Sequence, residues 1–150
     1  MIKLSDYLTA DNIAILQAVN KWELLYKMID LIEFSPEIKL DKNIVYQKIV
    51  EREKILSTGI GKGIAVPHVR IEESDKFYLA FAVLKNPIEY ESIDSKPVRF
   101  VVMIISAPLM HKEYLKILSA LVLVFKNEET CSKILNCSTA QNVYELIRKL

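Results

Sequence analysis

The chain has 150 residues, 51% of them hydrophobic, and its 20 Lys and Arg against 19 Asp and Glu give a net charge of +1 at pH 7. This length is typical of one domain that buries its apolar residues in a single core. Because nucleic-acid-binding domains carry a basic excess, the balanced charge argues against a nucleic-acid partner.

The chain shows no sign of a leader or a membrane span. Met1–Leu16 contains Asp6 and Asp11 and lacks a positively charged start before an apolar run, so no signal peptide is predicted. The longest apolar stretches are Phe77–Leu84 and Val98–Pro108, both shorter than the roughly 20 residues that a membrane helix needs. We therefore expect a cytoplasmic protein that does not insert directly into the membrane.

Two helices are predicted in the first third of the chain. Lys21–Phe34 has apolar residues at three- and four-residue intervals, with Asn20 as a suitable N-cap. The Ser-Pro pair at residues 35–36 is predicted to end this helix. Asp41 is predicted to cap a second helix that runs from Lys42 to about Lys54.

Three apolar runs in the middle of the chain predict strands. Ile64–Val66 is a short run stopped by Pro67, which is consistent with a brief strand that leads into a surface cleft. Phe77–Leu84 and Val98–Ser106 are continuous runs rich in Val, Ile and Phe. Continuous apolar runs indicate strands that are covered on both faces.

The last third of the chain predicts helices again. Residues 86–87 and 94–97 carry turn signals, and they are followed by helical periodicity in Leu109–Phe125 and in Asn142–Leu150. Helices on either side of covered strands predict an α/β layered domain. With no repeat, linker or low-complexity segment, we expect residues 1–150 to form one domain.

A glycine cluster marks a candidate site. All three glycines fall within five residues, at Gly59, Gly61 and Gly63, and His68 follows Pro67 shortly afterwards. Segment 57–63 also contains two hydroxyls and a lysine, so a phosphate-binding loop is one interpretation. The spacing fits neither a Walker loop nor the dinucleotide fingerprint. A sharp turn between helix and strand is an equally good interpretation.

Taken singly, the neighbouring polar residues have ordinary explanations. His68 can hydrogen-bond a nearby carbonyl, and Arg52 at the end of a helix can be solvated or paired with Glu51 or Glu53. Their combination is more informative than any one of them.

The combined pattern resembles the active-site signature of the fructose/mannitol-type IIA domains of the bacterial phosphotransferase system, including their nitrogen-related branch. The matching segments are Glu51-Arg52-Glu53, Ser57-Thr58-Gly59-Ile60-Gly61 and Gly63-Ile64-Ala65-x-Pro67-His68. Residues 87–98 and 113–118 resemble the turn, strand and helix that follow in that family. The resemblance implies an α/β fold with α+β character, a single-domain sandwich whose central mixed sheet is flanked by helices on both faces.

The resemblance also implies a phosphotransferase activity. In such domains the histidine that corresponds to His68 accepts a phosphoryl group from the phosphohistidine of the carrier protein HPr and passes it to a IIB partner. A largely neutral imidazole suits this chemistry because its lone pair can attack phosphorus. Transfer depends on alignment and on neutralising charge, which implies no metal and no cofactor.

Arg52, Thr58 and Ser57 are the candidate phosphate-binding residues. The planar fork of Arg52 can hold two phosphate oxygens, which lysine cannot do. By resemblance, Thr58 is expected to hydrogen-bond His68 or a phosphate oxygen, with Ser57 as a weaker candidate.

The chain departs from the family pattern at two places. Tyr114 stands where the family often has a second active-site histidine. His111 lies one helical turn earlier and is a second candidate that can reach the cleft from there, although a solvated position is the favoured interpretation. Tyr114 can still donate a hydrogen bond to a phosphoryl oxygen. After His68 the family usually has a small residue, whereas this chain has Val69, which can crowd a docking partner. Arg70 then adds positive charge beside the site or serves at the surface.

Two other functions remain open from the sequence. Phosphorylation of His68 can switch the binding of a transporter, kinase or transcription factor, because it adds nearly two negative charges. A metal site at His68 and His111 is a much weaker alternative, since stable sites need three or four ligands. Cys131 and Cys137 lack metal-ligand spacing and are expected to be reduced and mostly buried.

Overall fold

Two long antiparallel strands organise the fold. In the computed structural model, which describes residues 3–150, β5 (Tyr78–Ile88) and β6 (Val98–Ser106) pair over most of their length. The other strands are short, namely β1 (Ile13–Leu16), β2 (Gly59–Gly61), β3 (Ile64–Ala65) and β4 (His68–Arg70).

The sheet is mixed, as the resemblance implied. Strand β1 is parallel to β5, β3 and β4 are both parallel to β6, and β2 is antiparallel to β3. Across residues 3–150, six strands form one sheet in the order β1-β5-β6-β3-β2, with β4 also paired to β6.

Helices cover both faces of the sheet, which confirms the α/β sandwich. They are α1 (Lys21–Ile29), α2 (Lys42–Ile55), α3 (His111–Phe125), α4 (Glu128–Leu135) and α5 (Ala140–Arg148). Helices α1 and α2 pack against Ala80 and Ala82 of β5, whereas α3, α4 and α5 pack against Leu79 and Phe81. Because side chains alternate along a strand, one continuous apolar run serves two cores.

The predicted N-caps are confirmed. The side chain of Asn20 accepts the backbone N–H of Glu23, and that of Asp41 accepts the backbone N–H of Asn43. Within the described part of the chain, no helix is both long and apolar enough to cross a bilayer.

The first helix is shorter than predicted. It ends at Ile29, and the next three residues form tighter turns in which each N–H bonds the carbonyl three positions earlier. Ile32 nevertheless remains buried against α2 and the sheet. The apolar spacing therefore continues past the helix, which explains why the predicted end at residues 35–36 was wrong.

Other elements also differ from the predictions. The predicted turn at residues 86–87 lies within β5, which continues through an irregularity to pair Ile88 with Val98. Strands β1 and β4 and helix α4 were not predicted. Cys131 and Cys137 are free but only partly buried. Met1 and Ile2, which belong to the segment considered for a leader and to the predicted 1–150 domain, lie outside the described residues.

A buried ion pair joins the start of α1 to the end of α2. Lys21 Nζ lies 3.2 Å from Glu53 Oε1, and the two side chains are only 6% and 1% exposed. Glu53 Oε1 also accepts the backbone N–H of Thr58 at 2.8 Å, while Oε2 accepts the Thr58 hydroxyl at 2.6 Å. The ammonium of Lys21 stands 4.5 Å from the ring centroid of Tyr90. Both charges are thus compensated by several partners inside the protein.

We expect Glu53→Gln to destabilise the fold by about 3 to 5 kcal/mol, because it leaves the Lys21 ammonium buried without its main counter-charge. Glu91→Gln is a matched control. Glu91 is 79% exposed and lies 3.7 Å from the same ammonium, so its loss should cost less than about 1 kcal/mol. Urea unfolding of the three proteins measures the difference, and equal midpoints for the two variants would contradict this role of the buried pair.

Candidate functional site

Strand β4 holds His68 at the sheet surface that faces α3. His68 is in register with Ile104 of β6, and Ile104 donates its backbone N–H to the carbonyl of Pro67 at 2.8 Å. Since Ile104 belongs to the core beneath α3, His68 and Arg70 share that face. The histidine backbone is therefore held in a paired strand, with its ring partly buried.

Tyr114, in the first turn of α3, covers one face of His68. The two rings are stacked, with centroids 4.0 Å apart and planes inclined by 28°. Burial raises the pKa of the Tyr114 hydroxyl, so it remains a proton donor at neutral pH. The residue expected to stand in place of the family's second histidine thus lies directly against His68.

Ser106 contacts the edge of the imidazole and was missed by the sequence analysis. It ends β6, is 2% exposed, and its Oγ lies 3.2 Å from Nε2 of His68. The available signal was a hydroxyl at the carboxyl end of an apolar strand. The pairing of that strand with His68–Arg70 could not be read from the sequence.

Two arginines act on His68 electrostatically. Burial, then the cations of Arg70 and Arg52, lower the pKa of His68 to about 4. The imidazole is therefore neutral at pH 7 and keeps a lone pair. One guanidinium nitrogen of Arg52 donates to the carbonyl of Leu56 at 2.8 Å, which leaves other N–H groups of the fork for an anion.

The two hydroxyl residues predicted to bind phosphate are engaged elsewhere. The Thr58 hydroxyl donates its one proton to Glu53 and lies 3.1 Å from the Tyr90 hydroxyl, and its residue is buried. The Ser57 hydroxyl donates to the carbonyl of Tyr90 at 2.9 Å. Neither hydroxyl donates to His68 in this structure, and a contact of Thr58 or Ser57 with a phosphate oxygen stays a prediction. Both residues fasten the segment that follows Arg52.

The glycine cluster forms a tight hairpin between β2 and β3. Its turn has positive φ at Gly61 (98°), Lys62 (57°) and Gly63 (79°). The backbone N–H of Lys62 donates to Asp94 Oδ2 at 2.8 Å, so that amide is already bonded. A Cβ atom at Gly59 would lie 2.9 Å from the Cα of Ser92. Position 59 therefore needs glycine, because any side chain there would collide with Ser92.

The remaining candidates lie to the side of this arrangement. His111 is the first residue of α3 and is exposed. Val69 packs with the core beneath α1 and α2, on the opposite face of β4 from His68, and its effect on a docking partner stays a prediction. Within residues 3–150, no three His, Cys, Asp or Glu side chains are grouped as a metal site would require, which leaves the two-histidine hypothesis without support.

The sequence is similar to known phosphotransferase proteins. Residues 6–150 match the family described as "Phosphoenolpyruvate-dependent sugar phosphotransferase system, EIIA 2". The nitrogen regulatory protein of Klebsiella oxytoca is 31% identical over 114 residues, which are 75% of this chain and 70% of that protein. The fructose-specific EIIABC component of Bacillus subtilis is 26% identical over 149 residues, which are 99% of this chain but only 23% of that longer protein.

Solved structures share the fold. Nitrogen regulatory protein IIA-Ntr from Neisseria meningitidis superposes with a TM-score of 0.86 at 25% identity, covering 96% of this chain and 98% of that one. The complex of enzyme IIA for mannitol with phosphorylated enzyme IIB from Escherichia coli includes a chain with a TM-score of 0.73 at 22% identity, covering 95% and 98%. Because the identity to the mannitol protein is only 22%, this second similarity shows a shared fold and nothing more.

We expect the imidazole of His68 to titrate near pH 4. His111→Gln leaves His68 as the one histidine, and NMR of its ring protons against pH then reports its pKa directly. Arg70→Gln in this background should raise the pKa, because it removes a cation that disfavours protonation. The pKa should remain below 6.5, since burial is the largest cause. Arg148→Gln, which removes an exposed arginine paired with Glu145, is the control. A titration near 6.5 in the folded protein would contradict the described environment.

Proposed function

The chain belongs to the EIIA 2 family of the phosphoenolpyruvate-dependent sugar phosphotransferase system, and we propose that it carries a phosphoryl group on His68. The donor is the phosphohistidine of an HPr-type carrier protein in the cytoplasm. The observation that carries this proposal is a neutral, partly buried imidazole with two guanidinium groups acting on it and a tyrosine stacked on it.

The chemistry of acceptance follows from these groups. A lone pair of neutral His68 forms a bond to phosphorus while the bond between phosphorus and the donor's imidazole nitrogen breaks, and the donor nitrogen keeps that electron pair. His68 needs no base, because it has no proton to lose before it attacks. Arg52 and Arg70 are the candidate partners of the phosphoryl oxygens, and Tyr114 offers a hydroxyl.

For the next step we propose transfer to a IIB partner that serves sugar uptake. The fructose-specific relative and the complex of the mannitol IIA protein with phosphorylated IIB motivate this destination. The same site chemistry serves the reverse step, since His68 then becomes the leaving group and departs as a neutral imidazole.

A regulatory destination is the second candidate. Nitrogen regulatory proteins are among the curated relatives, and IIA-Ntr from Neisseria meningitidis has the TM-score of 0.86. In this case phosphorylation of His68 switches the binding of a transporter, kinase or transcription factor. The phosphoryl oxygens carry nearly two negative charges beside Arg52 and Arg70, which is enough to change a docking surface.

Incubation with radiolabelled phospho-HPr tests the proposal. We expect one acid-labile phosphoryl group on the wild type, none on His68→Ala, and full labelling of His111→Ala, whose substitution is at an exposed residue. Circular dichroism establishes that the variants are folded. An unlabelled wild-type protein would refute the assignment of His68.

The same labelled protein separates the two destinations. Rapid loss of label to an added IIB domain indicates transport. Retention of label, together with a partner whose capture differs between unphosphorylated and phosphorylated wild type, indicates regulation. Variants His68→Ala and His68→Asp then serve as the unmodified and the negatively charged references in the capture.

Arg52→Lys should slow phosphoryl acceptance by about 10- to 100-fold, because lysine keeps the charge but cannot hold two oxygens through a planar fork. Arg52 is only partly buried, so the fold should persist. The rate is measured by rapid quench with labelled phospho-HPr, and Arg148→Lys is the matched exposed control. Unchanged kinetics would remove Arg52 from the site.

A further inference from the structure

The hydroxyl of Ser106 has one hydrogen-bond partner among the described residues. Ser106 is 2% exposed, so its O–H must donate inside the protein or remain unsatisfied at a substantial cost. Its hydrogen-bond partner among the described residues is Nε2 of His68, at 3.2 Å. Nε2 can accept that proton only if it carries a lone pair.

We propose that Ser106 is a positioning residue that holds His68 in the tautomer with the proton on Nδ1 and the lone pair on Nε2. In the opposite tautomer, Nε2–H would donate to Oγ and the hydroxyl proton of Ser106 would have no acceptor among the described residues. Hydrogen-bond satisfaction therefore selects between two forms of the ring that have the same charge.

Two contacts together fix the ring. Tyr114 stacks on its face, and the hydroxyl of Ser106 meets its edge. The backbone positions are set by the parallel pairing of β4 with β6, in which Arg70 is in register with Ser106. The imidazole thus cannot turn freely about its side-chain bonds without losing either the stack or the hydrogen bond.

This tautomer determines the nitrogen that reacts, a consequence that rests on the phosphoryl transfer proposed above. Nδ1 bears a proton and has no lone pair to offer, so Nε2 forms the bond to phosphorus while the donor's imidazole nitrogen leaves with its electron pair. The Ser106 hydroxyl first rotates about its Cα–Cβ bond to free the lone pair of Nε2, and it then donates to a phosphoryl oxygen. The proton on Nδ1 stays in place during the transfer.

Nitrogen NMR of the protein labelled with ¹⁵N histidine tests the tautomer without any phosphoryl donor. In the His111→Gln background at pH 7, we expect a protonated Nδ1 and an unprotonated Nε2. Ser106→Ala should shift both signals toward a mixture of tautomers, whereas Ser106→Thr, which retains a hydroxyl, should restore the wild-type pattern. A wild-type ring protonated on Nε2 would overturn the proposal.

Ser92→Ala is a matched control for the loss of a buried hydroxyl. Ser92 is buried, and its Oγ has no hydrogen-bond partner within the described part of the chain. Its substitution should leave the His68 signals unchanged. Equal shifts in Ser92→Ala and Ser106→Ala would indicate a general effect of packing and would refute a specific role for Ser106.

Kinetics and the site of phosphorylation complete the test. Ser106→Ala should slow acceptance from phospho-HPr by about threefold to tenfold, the range expected for one lost neutral hydrogen bond. The coupling between ³¹P and ¹⁵N should identify Nε2 as the phosphorylated nitrogen in the wild type. Phosphorylation on Nδ1 would overturn the inference while leaving His68 as the carrier. If no phosphoryl group is accepted, the proposed function fails, and the tautomer result still decides the role of Ser106.

Discussion

The position of the site depends on the buried carboxylate of Glu53. This side chain neutralises Lys21 at the start of α1 and accepts two hydrogen bonds from Thr58 after the end of α2. One carboxylate therefore fixes the distance between two helices and the path of the chain that leaves the second. Arg52 precedes Glu53 directly, so the guanidinium that acts on His68 extends from a backbone held by an internal charge pair. A buried pair of this kind adds little net stability compared with apolar packing, but removing one partner is costly.

The site combines parts of the chain that are far apart in sequence. Arg52 comes from the end of α2, His68 from β4, Ser106 from the end of β6, and Tyr114 from α3. Strand β6 is the shared support, because β4 pairs along its last residues and α3 begins a few residues after it. Strand β4 has only three residues, and its pairing with β6 holds it in place. The central strand thus holds a partly buried imidazole on the face of the sheet that α3 covers.

The sequence predicts the parts of this arrangement that depend on local or strongly periodic signals. The runs at Phe77–Leu84 and Val98–Ser106 predict covered strands, and Asn20 and Asp41 predict helix starts, since these signals depend on neighbouring residues. Strands β1 and β4 are too short to show a period and exist because longer strands lie beside them. The same limit applies to Thr58 and Ser106. The hydrogen-bond partners of these two hydroxyls are set by strand register and by burial. Neither property can be read from the sequence around His68.

In the function proposed above, the two arginines have opposite effects before and after phosphorylation, and this makes one site suitable for either proposed destination. Before transfer, Arg52 and Arg70 disfavour protonation of His68 and so preserve its lone pair. After transfer, the same cations face a group with a charge of nearly −2 and offset much of it. The local charge therefore becomes less positive while the ring stays in place. In this proposal, a IIB domain that removes the group and a regulated protein that detects it both encounter this difference in charge. The identity of the partner, and not a different arrangement at His68, then decides between the two proposed destinations.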